Sequence, residues 1–194
     1  MDEFASRGYD GAGVDRIARR ARVNKALIYY YFESKRGLYH EILQDGVRRL
    51  AATLTAVVDA DATAVDKLDR YVEALDRFLH DNAHVPPIML RELAEGGRHL
   101  EAEALRTMAS IPGMLFRLIA QGRAEHTFRD IDPLMLHFVL LGTSMLMASN
   151  EPIRRRIRQL GLADPPIDRP STVAALTSLA RQVARKDQRD VSTH

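Results

Sequence analysis

The chain contains no cysteine, which excludes disulfides, zinc–thiolate sites and cysteine nucleophiles and fits a reducing, cytoplasmic setting. No stretch approaches ~18 consecutive apolar residues, the length a membrane-crossing helix needs. The N-terminal run MDEFASRGYD lacks the basic-then-apolar order of a signal peptide. There is no glycine-rich phosphate loop, no nucleophile elbow and no pair of catalytic carboxylates, so no enzyme is expected and no cofactor is implied. Runs of alternating β-branched residues are also missing, which leaves an all-α fold.

What is present is ample apolar content, 46% of 194 residues, and a net charge of only +2 that is unevenly spread. Between residues 16 and 36, Arg16, Arg19, Arg20, Arg22, Lys25, Lys35 and Arg36 face Glu33 alone, whereas residues 51 to 194 balance 18 basic side chains against 19 acidic ones. A small nucleic-acid-binding head on a neutral body is the expected source of such a footprint.

Punctuation divides the chain into helices. Residues 1 to 7 read as a helix end stopped at Gly8, with Gly11 and Gly13 in the following loop. A two-turn helix is expected over 14 to 20. Asn24 is a good N-cap for a helix over 25 to 32, and Ser34 for another from Lys35 to about Asp59. Further helices are expected over 65–82, 88–95, 101–126 with a kink at Pro112, 133–150 and 172–186, separated by Pro86-Pro87, Gly96-Gly97 and Asp164-Pro165-Pro166. Residues 154–169 mix a basic helix-like run with a proline-rich loop, and 187–194 read as a solvated tail.

Three short helices in the first forty residues, the last two joined around Ala21-Arg22-Val23, suit a helix-turn-helix. Ile17, Ala18, Val23 and Ile28 fall where two crossed helices must touch. On the last helix, burial of Ile28 and Phe32 would leave Lys25, Leu27, Tyr29, Tyr30 and Tyr31 on other faces. The run GVDRIARRARVNKALIYYYFESKRGLYHEIL, preceded by Phe4, Gly8 and Tyr9, resembles the signature of the TetR family of bacterial transcriptional regulators. The matching positions are Ile17, Ala18, Ala21, Val23, Lys25, Ile28, Tyr29, Phe32, Ser34, Lys35 and Leu38.

The resemblance implies a DNA-binding head over 1–46, an effector-binding and dimerisation body over 47–187, and a tail over 188–194. Its DNA-contacting residues would be Asn24, Lys25, Ala26, Leu27, Tyr29, Tyr30, Ser34 and Lys35. Lys25 could reach a phosphate or guanine edge and Leu27 a thymine methyl. Tyr29, Tyr30 and Lys35 would hold phosphates, Lys35 from a helix N-terminus. Each, taken alone, is equally well read as a solvated or half-buried side chain.

Three departures bear on these expectations. Arg22 replaces the usual turn glycine and would be left-handed at a cost of about 1 kcal/mol. Ala12 and Gly13 replace the hydroxyl cap of the second helix. The first helix starts about a dozen residues late, so a short start is expected, with an added upstream amphipathic turn raising DNA affinity.

In the body, the helices over 133–150 and 172–186 are the expected homodimer interface, which would set two recognition helices on a palindromic operator. A small-molecule effector would contact Tyr71, Phe78, Met89, Arg91, Glu92, Met108, Met114 and Phe116; ordinary core and surface salt bridges explain the same residues. His80 and His84 at i, i+4 lack a third ligand, so no metal site is expected. The functional expectation is a repressor released when ligand moves the helix beginning at Lys35. The alternative is a dimeric helical ligand-binding protein with impaired DNA binding.

Overall fold

The computed structural model describes residues 1–162 and 169–184, of which Val183 is described by its backbone alone. The expected tail, the Asp164-Pro165-Pro166 break and Lys186 lie outside the described residues. The described residues form ten helices. They are α1 (Asp2–Gly11), α2 (Val14–Ala21), α3 (Lys25–Phe32), α4 (Lys35–Val58), α5 (Ala64–Asp81), α6 (Val85–Ala94), α7 (Ala102–Ala124), α8 (Pro133–Ser149), α9 (Glu151–Gln159) and α10 (Arg169–Ala184).

Caps set several of the starts. The side chains of Asn24, Ser34, Thr63 and Asp132 each accept a backbone N–H from the first turn of α3, α4, α5 and α8, satisfying donors that have no partner within the helix. Pro86-Pro87 does not separate elements as expected from sequence. Both prolines sit in the first turn of α6, where a missing N–H costs nothing because that donor has no helical acceptor. Pro112 lies inside α7, which is one helix from Ala102 to Ala124. The basic run after Asn150 is helical as α9.

Helix α4 joins head to body without interruption, running through residue 46 to Val58. At 24 residues it is about 36 Å long, and its inner face, Leu43, Val47, Leu50, Leu54 and Val58, is buried against α5 and α7. At the body's centre Leu54, Leu68, Val72, Leu115 and Leu118 are fully buried.

Helix α8 contributes a core defect. His137 and Ser144 are buried on it, two turns apart, and neither His137 Nδ1 nor Ser144 Oγ has a hydrogen-bond partner among the described residues. Burial lowers the His137 pKa from its ordinary 6.5, because the charged ring would lose its hydration. The unfolded chain therefore takes up a proton that the folded chain refuses as pH falls through the usual histidine range. This contribution to stability is complete above that range and declines below it. Thermal melts from pH 7.5 to 5.5 are expected to show Tm falling on acidification, with a shallower fall in His137→Leu; an identical slope would assign the effect to other groups.

Candidate nucleic-acid interface

The interface is built on α2 and α3. Val14 and Ala18 of α2 and Ile28 of α3 are buried where the helices cross. Between them Arg22 is left-handed, φ 55° and ψ 38°, as its place in the usual glycine position implied. The Val23 amide donates to Ala18 O at 3.0 Å and the Arg22 amide to Arg19 O at 3.2 Å, closing α2 over its last turn. Val23, expected at the crossing of the two helices, is 41% exposed.

Helix α3 buries only Ile28. Leu27, Tyr29, Tyr30 and Tyr31 are 41 to 79% exposed, an unusual density of aromatic surface for eight residues. Tyr31 is 72% exposed and belongs to this surface although the sequence assigned it no contact. Asn24 and Ser34 serve first as caps: Asn24 Oδ1 accepts from Ala26 N at 2.9 Å and Ser34 Oγ from Gly37 N at 3.0 Å.

The positive charge is more occupied than the sequence suggested. Lys25 Nζ lies 2.9 Å from Asp15 Oδ1, and this hydrogen bond raises the lysine pKa. Lys35 Nζ donates to Asp10 O at 3.3 Å and sits over the Tyr9 ring. Arg16 is held by Glu3, whose carboxyl is kept below its ordinary pKa by that bond, and Arg20 by Asp2. Arg19 and Arg22, both exposed, make no ion pair among the described residues.

Asp15 thus competes with any phosphate for Lys25. Asp15→Asn is expected to raise DNA affinity two- to fivefold, about the worth of an exposed ion pair, and to steepen the salt dependence by about one counterion. Unchanged affinity and slope in a fluorescence-anisotropy titration would show that Lys25 does not reach DNA.

The head is anchored to the body by α6 and the turn after it. Gly8 breaks α1 with φ 69° and ψ −179°, backbone accessible essentially only to glycine. The Arg91 guanidinium fills the space a side chain there would need and donates to Ser6 O at 3.3 Å. Arg98 bridges Asp10 and Glu95 at 2.9 and 2.8 Å. Buried Glu92 accepts from the His99 backbone amide at 3.2 Å and pairs with His99 Nδ1 at 2.7 Å. The His99 ring lies 4.2 Å from that of Tyr9. Burial, with Glu92 beside it, raises the Tyr39 pKa well above its usual value.

Arg91 and Glu92, expected to orient an effector, are therefore committed to the head–body junction. Glu92, Glu95 and His99 are close enough to hold a metal ion, but Glu92 and His99 already bond each other and Glu95 bonds Arg98. His80 and His84 are not part of that cluster.

The other expected effector residues are dispersed. Tyr71, Phe78, Met89 and Met114 are buried in the core, Met108 is half-buried, and Phe116 is 50% exposed on α7. None of them lines the cavities along α5, α8 and α10.

A left-handed turn between two crossed helices, an exposed aromatic third helix and a larger helical body define a helix-turn-helix protein. Residues 1–42 match the family of bacterial regulatory proteins, tetR family, and residues 65–169, more than half of the chain, match the Tetracyclin repressor-like C-terminal domain. The chain belongs to the TetR family.

It is 38% identical over 80 residues to the transcriptional activator FasR of Mycolicibacterium smegmatis, a match covering 41% of this chain and 36% of FasR. It is 39% identical over 77 residues to the transcriptional repressor SCO4008 of Streptomyces coelicolor, covering 40% of each. These matches span about two fifths of the curated relatives' lengths. Over nearly the whole fold it is similar to a tetR-family regulatory protein from Rhodococcus RHA1, with a TM-score of 0.76, 20% identity, and coverage of 96% of this chain and 93% of that one.

Proposed function

We propose that this protein is a DNA-binding transcriptional regulator that acts as a two-fold dimer and is switched by a small molecule. The observation that carries the reading is α3. A short helix that buries one side chain and exposes a leucine and three tyrosines, beside exposed Arg19 and Arg22, is costly surface unless a partner covers it.

In the proposed complex α3 enters the major groove. Leu27 and Ala26 meet base edges, Lys25 exchanges Asp15 for DNA, and Tyr29, Tyr30 and Lys35 hold phosphates. Dimerisation uses α8 and α10. Leu134, Met135, Phe138 and Leu146 of α8 and Leu179 of α10 are exposed large apolar side chains, and pairing two such faces by a two-fold axis buries both.

Ligand binding in the body would shift α4, α6 and α7. Because Arg91 and Arg98 grip α1, the shift would turn the head and change the spacing of the two α3 helices. A coupling of about 1–3 kcal/mol suffices for a regulatory response. We propose repression relieved by ligand as the sign; SCO4008 is a transcriptional repressor, whereas FasR is an activator.

The test is binding to the DNA upstream of the protein's own gene at two salt concentrations, by the wild type and by Lys25→Ala/Tyr29→Ala/Lys35→Ala. Tight, salt-steepened binding that weakens at least about a hundredfold in the variant is expected, from loss of three phosphate-directed contacts. A wild type without affinity at low salt would favour the second reading, a dimeric ligand-binding protein that has lost DNA recognition. The internal neutralisation of Lys25, Arg16 and Arg20 is what makes that reading worth testing.

A further inference from the structure

The cations of the head are not all held alike. Arg16, Arg20 and Lys25 each face a carboxylate of the same chain, which a phosphate would have to displace. Arg36, exposed in the first turn of α4, is held without being neutralised. Its Nε donates to His40 Nε2 at 3.2 Å, and it makes no ion pair among the described residues.

That bond fixes the state of the imidazole. A guanidinium only donates, so Nε2 is the bare nitrogen of a neutral ring whose proton sits on Nδ1. His40 Nδ1 lies 2.6 Å from Glu101 Oε1, the carboxylate that accepts this proton's hydrogen bond. Glu101 stands immediately before α7 and its side chain does not cap that helix; the carboxylate reaches across to α4 instead. Glu101 orients the His40 ring and the ring orients Arg36, so two bonds lead from the start of α7 to the first turn of α4.

Side-chain direction agrees with this arrangement. A helical side chain leans toward the N-terminus of its helix, which lays the His40 ring over the turn where Arg36 stands four residues earlier. The ring takes the inner nitrogen, Nε. The outer nitrogens, Nη1 and Nη2, bond nothing among the described residues and keep the remaining donor hydrogens of the fork at fixed angles. Arg36 follows Ser34 and Lys35 at the end of α4 that follows α3 in the chain, and the two helices pack together. A duplex lying along α3 would bring its phosphates past this end.

We propose that Arg36 is a phosphate-binding residue of the DNA interface and that His40, held by Glu101, positions it. Free outer guanidinium nitrogens suit the two oxygens of a backbone phosphate, and a side chain already held at Nε has less freedom to lose on binding. The inference rests on the reading of the protein as a DNA-binding regulator. It adds to that interface one residue outside the recognition helix and one that does not touch DNA.

The test is a fluorescence-anisotropy titration of the full chain with the DNA upstream of its own gene, over a series of salt concentrations, with a melting curve for each variant. Arg36→Gln is expected to weaken binding about tenfold and to reduce the salt slope by about one counterion. His40→Phe keeps a ring and removes the acceptor; it is expected to weaken binding about threefold with the slope unchanged, because the guanidinium charge remains. His40→Gln, whose amide accepts from Arg36 and donates to Glu101, is expected to bind like the wild type. In the Arg36→Gln background His40→Phe is expected to add nothing. An equal loss in both backgrounds would assign His40 a purely structural role and overturn its part in the proposal. Glu101→Ala, at a position whose side chain is 59% exposed, releases Nδ1 and is expected to weaken binding about twofold, again only where Arg36 is present. It keeps the positioning test decisive should His40→Phe fail to fold. Wild-type affinity and slope in Arg36→Gln would overturn this inference alone, whereas a wild type that binds no DNA at low salt overturns it together with the reading beneath it.

Discussion

Gly122→Ala is expected to destabilise the protein by about 3 kcal/mol, against the ordinary rule that alanine improves a helix. Gly122 lies near the end of α7, and a Cβ there would fall 2.1 Å from Cδ2 of Phe128, which is buried. The chain doubles back through His126, left-handed at φ 59°, and the amides of Thr127 and Phe128 both donate to Gly122 O, at 2.9 and 3.1 Å. Those bonds fix the ring over the glycine. Alanine would gain about 1 kcal/mol in helix propensity, but expelling a phenylalanine from the core costs about 2–3 kcal/mol, and the displaced turn breaks its hydrogen bonds as well. For a chain of this length the net loss corresponds to roughly 6–12 °C in Tm. The double variant Gly122→Ala/Phe128→Ala is expected to melt with Phe128→Ala alone, because the clash disappears with the ring. Additive losses would show that the ring is not what the alanine meets.

Local signals carried the head. Asn24 and Ser34 stand immediately before helices and cap them, and Arg22 in a glycine's place is left-handed; each is decided within four or five residues. Gly8 was legible as a helix stop, and α1 breaks there, but the helix resumes as far as Gly11, with Arg91 packed against Gly8 from α6. The charge reading was incomplete for a spatial reason. The window from 16 to 36 is strongly basic, yet Glu3, Asp2 and Asp15 fold back onto Arg16, Arg20 and Lys25 from outside it. Over residues 1 to 46 the basic and acidic side chains nearly cancel, eight against seven.

The body was legible as helices and illegible as a site. Methionines and aromatics at helical spacing look alike whether they line a cavity or fill a core, and Tyr71, Phe78, Met89 and Met114 fill the core. Arg77, Arg129, Arg169 and Arg181 line one groove between α5 and α10, and their spacing over a hundred residues has no local pattern. Only the return of α10 along α5 collects them. Arg91 and Glu92 carry the same lesson: their partners, Ser6 and His99, belong to α1 and to the turn after α6.

Phe138→Glu/Met135→Glu is expected to convert a dimer to a monomer and to cost at least about a thousandfold in affinity for a palindromic operator. Phe138 and Met135 are 61% and 62% exposed on α8, less than one turn apart, with Leu134 and Leu146 extending the same patch and Gly142 allowing close approach. In a two-fold interface each substitution appears twice, so four carboxylates would face each other where four apolar side chains met, and burying even one unpaired charge is prohibitive. Loss of dimerisation removes the second half-site from the intramolecular binding event, and that loss of effective concentration carries most of the effect on DNA. Neither residue is part of the buried core, so the monomer is expected to keep its helical spectrum and to bind a single half-site weakly. Sedimentation and anisotropy on the same sample separate the outcomes. A variant that stays dimeric would move the interface away from α8, whereas a monomer with unchanged operator affinity would mean that each head reads DNA alone.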